Sequence, residues 1–196
     1  MLVAAELGYS EIVELLAPYE AGIVNTVNGY SGLMHAAFYK YDRILKALAK
    51  KEAGFVDYMQ STALMRAAKV NYVLAIPLLI EREGRMQSNS GQTALIGAAS
   101  TNSAEAVQLL VEKEKRIQDK NGISALMMAV SMKALECIRI LKHHESGLLN
   151  RDGVNAMVIA IRNDYVEAVR ELKDAEGKQL IQGASMLAIA QAKGNK

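Results

Sequence analysis

The chain has 196 residues, 51% of them hydrophobic, and carries 23 Lys+Arg against 21 Asp+Glu for a net charge of +2. That composition excludes a disordered chain, and the near-balanced charge with no basic block excludes an electrostatic footprint for nucleic acid. The single cysteine excludes an internal disulfide and fits a reducing compartment, while abundant Ala, Leu and Met with no Trp favour helices.

The opening stretch, MLVAAELGYSEIVELLAPYE, has no basic region ahead of its apolar residues and carries Glu6, Glu11 and Glu14. It reads as neither a signal peptide nor a membrane span, so a cytoplasmic protein is expected. It reads instead as two short helices, one around Ala4 and one on the stripe Ile12-Val13-x-Leu15-Leu16, ending at Glu20. The turn Asn28-Gly29 follows, then Ser31 as an N-cap, Leu33 and Ala36 on a first helix, and Ile44-Leu45-x-Ala47-Leu48 on a second that ends at Glu52. STALMRAAK repeats the pattern with Thr62, Leu64 and Ala67, and its second stripe is Ala75-Ile76-x-Leu78-Leu79 before Glu83. Pro77 is expected about a turn into that second helix, where it would remove a backbone hydrogen bond, and Gln60 stands where the other turns have glycine.

QTALIGAAS carries Gly91, Thr93, Leu95 and Ala98, with Ala106-Val107-x-Leu109-Leu110 and Glu114 behind it. ISALMMAVS carries Gly122, Ser124, Leu126 and Ala129, with Cys137-Ile138-x-Ile140-Leu141 and Glu145. The next copy has Gly153, Asn155, Met157 and Ala160, then Ala168-Val169-x-Glu171-Leu172 and Glu176. Glu171 puts a charge in an apolar column and marks a weak spot or an outward tilt. Gly183, Ser185, Leu187 and Ala190 begin one more copy, and the marker alanines step by 32, then 31 four times, then 30 residues. A fixed period of this kind is the mark of a stacked array, because no helix pair covers its own apolar stripe.

The N-cap, Leu, Ala pair, I-V-x-L-L stripe and turn glycine, recurring together in register, resemble the ankyrin repeat. The tetratricopeptide array has a longer period and a Trp/Tyr pattern that are absent here. The short, Met-rich unit resembles the ankyrin arrays of protozoa such as Giardia. The resemblance implies an all-α ankyrin-repeat solenoid of stacked helix-turn-helix units with short hairpin fingers. It spans 1–196 as one domain of about six and a half repeats, with units at 1–25, 26–56, 57–87, 88–118, 119–149, 150–180 and a partial 181–196. Both ends cut through a unit, as in an excerpt from a longer array.

By the same resemblance the function is binding of another protein on a concave face made by finger tips and first helices. The positions expected there are Tyr30, Phe38, Tyr39, Tyr58, Met59, Lys69, Val70, Gln92, Ile123 and Met132. Aromatic residues crowd the N-terminal part, and they serve either partner contact or packing of the fingers. A regulatory or targeting segment of a larger enzyme, such as a protein kinase with an ankyrin tail, is the alternative. No nucleotide-binding, zinc-protease or nucleophile-elbow motif occurs, so no catalytic, cofactor or metal site is expected, nor a membrane or nucleic-acid partner, and the chain is expected to be a monomer.

Glu20, Glu52, Glu83, Glu114, Glu145 and Glu176 form a periodic row near the ends of the second helices, where a carboxylate opposes the helix dipole. Such a row is either an acidic ladder for cations or a basic partner, or a structural ladder. In the structural case the carboxylates accept link N–H groups or pair with Lys51, Arg82, Lys113 or Lys142. Cys137 sits in an apolar column and reads as a core thiol. His35 reads as structural, and the adjacent His143 and His144 do not share a helix face.

Overall fold

The structure, a computed structural model, describes residues 1–176. The start of the seventh unit, with Gly183, Ser185, Leu187 and Ala190, lies outside the described residues. Within them the chain folds into helix pairs. The first pair is α1 (Leu2–Glu6) and α2 (Ser10–Glu20), followed by α3 (Gly32–Tyr39) and α4 (Asp42–Glu52). Then come α5 (Ala63–Lys69) with α6 (Ile76–Glu83), and α7 (Ala94–Ser100) with α8 (Ala104–Glu114). The last pairs are α9 (Ala125–Ser131) with α10 (Leu135–Glu145), and α11 (Ala156–Arg162) with α12 (Val166–Glu176). Each helix packs on its partner in the pair and on its counterpart in the next pair, so first helices stack on first helices and second on second.

The first helices start where a side chain can take an orphan N–H. Ser31, Thr62, Thr93, Ser124 and Asn155 each accept from the backbone N–H three residues on. The helices end in a left-handed residue, Gly8, Lys40, Asn71, Asn102, Lys133 or Asp164. The N–H after it reaches back to the carbonyl of the marker alanine, as from Tyr41 to Ala36 and from Tyr72 to Ala67. The marker alanines are therefore both the small contact between neighbouring first helices and the acceptor that closes each helix.

Leu33, Leu64, Leu95, Leu126 and Met157 are buried in one core that runs from Ala4 to Leu172. Ile44, Ala75, Ala106, Cys137 and Ala168 fill a matching column of the second helices, but the stripe read from the sequence is not buried throughout: Leu15, Leu78 and Leu109, at its fourth position, lie on the outer side of the helix, and Ile12 is exposed as well. Pro77 does not sit a turn into a helix. The backbone runs as a 3-10 turn over Val73–Ala75 and α6 begins at Ile76, which puts Pro77 in the first helical turn, where the N–H that proline lacks would have had no intrahelical partner. Glu171 is not a buried charge either. It leaves the core side and pairs with Arg139 at 2.9 Å and Lys142 at 2.6 Å on α10, and these two cations hold its carboxyl below the usual range.

The fingers between pairs are tight turns. Asp57 N–H donates to Ser61 O, Ser88 to Gln92, Asp119 to Ile123 and Asn150 to Val154. In the first finger the same bond runs from Asn25 to Tyr30, one residue wider, which is where the single 32-residue step is absorbed. Adjacent fingers are linked through their backbones, from Tyr58 N–H to Asn28 O, Asn89 to Met59, Lys120 to Ser90 and Arg151 to Asn121. Gly91 and Gly122 have positive φ, and a Cβ on either would come within 2.7 to 2.8 Å of the next finger's backbone nitrogen. Gln60 takes the same left-handed conformation at φ 58° without being glycine.

Candidate functional site

Two groups of residues stand out, a row of buried carboxylates and an aromatic hollow. The carboxylates fix the frame on which the hollow is built. Glu52, Glu83, Glu114, Glu145 and Glu176 are each 1% exposed at the end of a second helix. One oxygen of each accepts the N–H of Leu33, Leu64, Leu95, Leu126 or Met157, at 2.6 to 2.8 Å. These are second residues of the first helices, whose N–H groups have no helical partner. The other oxygen accepts the N–H of Gly22, Gly54, Arg85, Arg116 or Gly147 in the link of the preceding unit, at 2.9 to 3.1 Å. Each carboxylate thus ties together three pieces of backbone from two units.

The carboxylate opposes the dipole of its own helix but lies on the N-terminus of another, where negative charge is favoured. Burial pushes Glu83, Glu114, Glu145 and Glu176 above the usual carboxylate range, while the backbone N–H bonds pull the other way. Glu20 differs from the rest of the row. It is part-exposed and takes the main-chain nitrogen of Met1.

The aromatic hollow lies between the fingers and the first helices. A cavity of about 340 Å³ is lined by Tyr30, Phe38, Met59, Lys69 and Gln92, together with Asp57, Ser61, Met65, Arg66, Ser88 and Thr93. A smaller one of about 160 Å³ adjoins it, lined by Tyr30, Met34, His35, Phe38, Tyr39 and Arg66. Of the positions expected on this face, Tyr30, Phe38, Tyr39, Met59, Lys69 and Gln92 therefore come together. Tyr58 does not line the hollow; its hydroxyl donates to Thr26 O and its ring lies against Gly29. Val70 and Ile123 are half-buried against the core, and Met132 is exposed away from both cavities.

The rings form a connected set. Phe38 meets Tyr39 edge-on at 5.1 Å between centroids, Tyr39 stacks on Tyr41 at 5.6 Å, and Tyr30 meets His35 at 5.6 Å. Burial pushes the His35 imidazole below its ordinary value, with Glu6 opposing this and Arg66 adding to it. Phe38 and Tyr39 nevertheless remain 46% and 50% exposed, so the set packs laterally and still presents its surface.

Sequence reasoning missed Asp57 and Arg66. Asp57 Oδ1 accepts the N–H groups of Met59 and Ser61, both at 2.8 Å, and Oδ2 accepts from Arg66 Nη2 at 2.6 Å. The guanidinium lies 3.8 Å from the centroid of the Tyr30 ring. A signal for Asp57 was available in the column Asn25, Asp57, Ser88, Asp119, Asn150, where every residue can accept a turn N–H. Nothing in the sequence pointed to Arg66, because its column reads His35, Arg66, Gly97, Met128, Ile159.

Among the described residues no group of three or more His, Cys, Asp or Glu is placed to hold a metal ion, and no helix is long and apolar enough to cross a membrane. Cys137 is fully buried, its thiol directed at Asn102 Oδ1, and burial pushes its pKa up to about 11.

Comparison with known proteins agrees with this architecture. The family model described as "Ankyrin repeats (3 copies)" matches residues 1–89 and again residues 76–148. The crystal structure of EF0377, an ankyrin repeat protein, superposes with a TM-score of 0.79 at 20% sequence identity, covering 89% of this chain and 96% of that one. No curated protein matches the chain significantly in sequence.

Proposed function

Since this chain belongs to the ankyrin-repeat family, whose arrays are protein–protein interaction modules, we propose that it binds a protein partner through the face made by its first helices and fingers. Tyr30, Phe38 and Tyr39 are the centre of that contact. The observation that carries the reading is the aromatic set beside the 340 Å³ hollow, held by its neighbours and still about half exposed at Phe38 and Tyr39. Large rings held in place present much contact area with few rotamers left to freeze, which is how a few residues come to dominate an interface.

The test is capture of a partner by the immobilised chain, followed by calorimetry with the purified partner. Phe38→Ala and Tyr39→Ala should each weaken binding by about 1–3 kcal/mol. Asn163→Ala, on the same helix row but far along the stack, should leave it unchanged. Thermal unfolding of each variant separates loss of contact from loss of packing. Unchanged affinity in both aromatic variants would remove this face from the interface.

A further inference from the structure

The hollow between fingers and first helices is not evenly apolar, and its charges indicate what fits it. Asp57 is the carboxylate among its lining residues, and it offers nothing to a ligand. It is 3% exposed, with both oxygens engaged by Met59, Ser61 and Arg66. Arg66 is fixed between Asp57 and the Tyr30 ring, and its Nε is buried with no hydrogen-bond partner among the described residues. The Arg66 side chain is 17% exposed, and a guanidinium has N–H donors beyond the one given to Asp57 for an incoming oxygen.

Lys69 lines the same hollow. Its stem lies across Gly97, where a Cβ would come within 3.2 Å of its Cγ and Cε, and no ion pair holds its ammonium among the described residues. The uncompensated charge of the hollow is therefore positive, and it sits beside an apolar wall of Tyr30, Phe38 and Met59.

We infer that this hollow takes an extended segment of a partner protein in which an Asp or Glu lies beside a bulky apolar residue. The carboxylate sets against Lys69 and Arg66, and the apolar side chain against Tyr30, Phe38 and Met59. This rests on the reading that the finger face binds protein, and it adds the chemistry of the bound segment. A volume of about 340 Å³ suits side chains of a strand-like segment more than a folded surface. A basic segment would bring like charge against Lys69 with no free carboxylate in the lining to offset it.

The experiment is selection of a phage-displayed random dodecapeptide library on the immobilised chain, followed by fluorescence polarisation with the labelled consensus peptide. The expected result is enrichment of Asp or Glu next to aromatic or aliphatic residues, and binding weakened at least about tenfold by Lys69→Glu. Replacing the acid of the peptide by Lys should restore binding to that variant, which a merely misfolded protein would not do. Lys69 is exposed, so the substitution leaves the core intact, and a melting curve checks this. Peptides without acidic enrichment that lose binding to Phe38→Ala would overturn the acidic rule and keep the face. If no peptide is selected, or if neither substitution changes binding, the inference and the reading of the face both fall.

Discussion

Replacing Glu114 by alanine tests whether the buried carboxylates hold the stack together. The change strands the N–H of Leu95, which is buried and bonded at 2.7 Å, and that of Arg85, bonded at 3.1 Å but within reach of water. A buried donor left unpaired costs about 1–3 kcal/mol, and a donor that turns to water adds up to about 1 kcal/mol more. Relief of the buried charge offsets part of this, so a loss of about 2–3 kcal/mol is expected, measured by urea unfolding. The exposed neighbour Glu112 serves as control, and Glu112→Ala should leave the midpoint where it is.

The pH dependence carries the sign. Burial holds the folded-state pKa of Glu114 above its ordinary value, so the folded chain binds the proton more readily than the unfolded chain does. Its contribution is then full below the unfolded value of 4.5 and fades as the pH rises through the folded value. The cost of Glu114→Ala should therefore grow as the pH is lowered from about 7 towards 5. Unchanged midpoints in both Glu114→Ala and Glu83→Ala would refute the structural role. A cost that shrinks on acidification would show that the N–H bonds, and not burial, set the carboxyl's pKa.

Other consequences are open to the same methods. Gln60→Gly should raise stability by about 0.5–1 kcal/mol, because glycine adopts φ 58° without the clash of a Cβ; a lower urea midpoint would contradict this. Thr93→Ala removes the acceptor for Ile96 N–H at 3.3 Å and should cost about 1 kcal/mol by chemical denaturation. Cys137, with its pKa pushed up to about 11, should react with a thiol reagent slowly in the native state and fast in urea; rapid native labelling would place it outside the core.

The period, the N-caps and most of the core columns were legible in the sequence because they are local and repeated. A Ser, Thr or Asn before a helix acts within three residues, and an apolar stripe repeated every 31 residues leaves few ways to pack. The row of glutamates was legible as a row, but half of its partners were not. Link N–H groups were expected as donors, but the one that meets Glu114 belongs to Arg85, 29 residues earlier in the preceding unit, and the N–H of Leu95 lies 19 residues before it; the first meets it only when units stack and the second only when the helix pair closes. Pro77 shows the limit of helical spacing, since the stripe was read in place while the 3-10 turn that shifts the helix start went unseen.

What the sequence determined by itself was therefore the repeating unit, the starts of its first helices and most of the core columns, since these follow from short-range hydrogen bonding and from the period of apolar positions, while Ile12, Leu15, Leu78 and Leu109 of the second stripe turned out exposed. The tertiary structure alone decided where unrelated columns meet. Tyr30, Arg66 and Asp57 come from a finger, a helix and the next finger, and they meet in one hollow because stacking sets neighbouring units side by side. It likewise turned Tyr58 onto the preceding finger, where its hydroxyl reaches Thr26 O, and left Tyr39 on the face, held edge-on by the Phe38 ring.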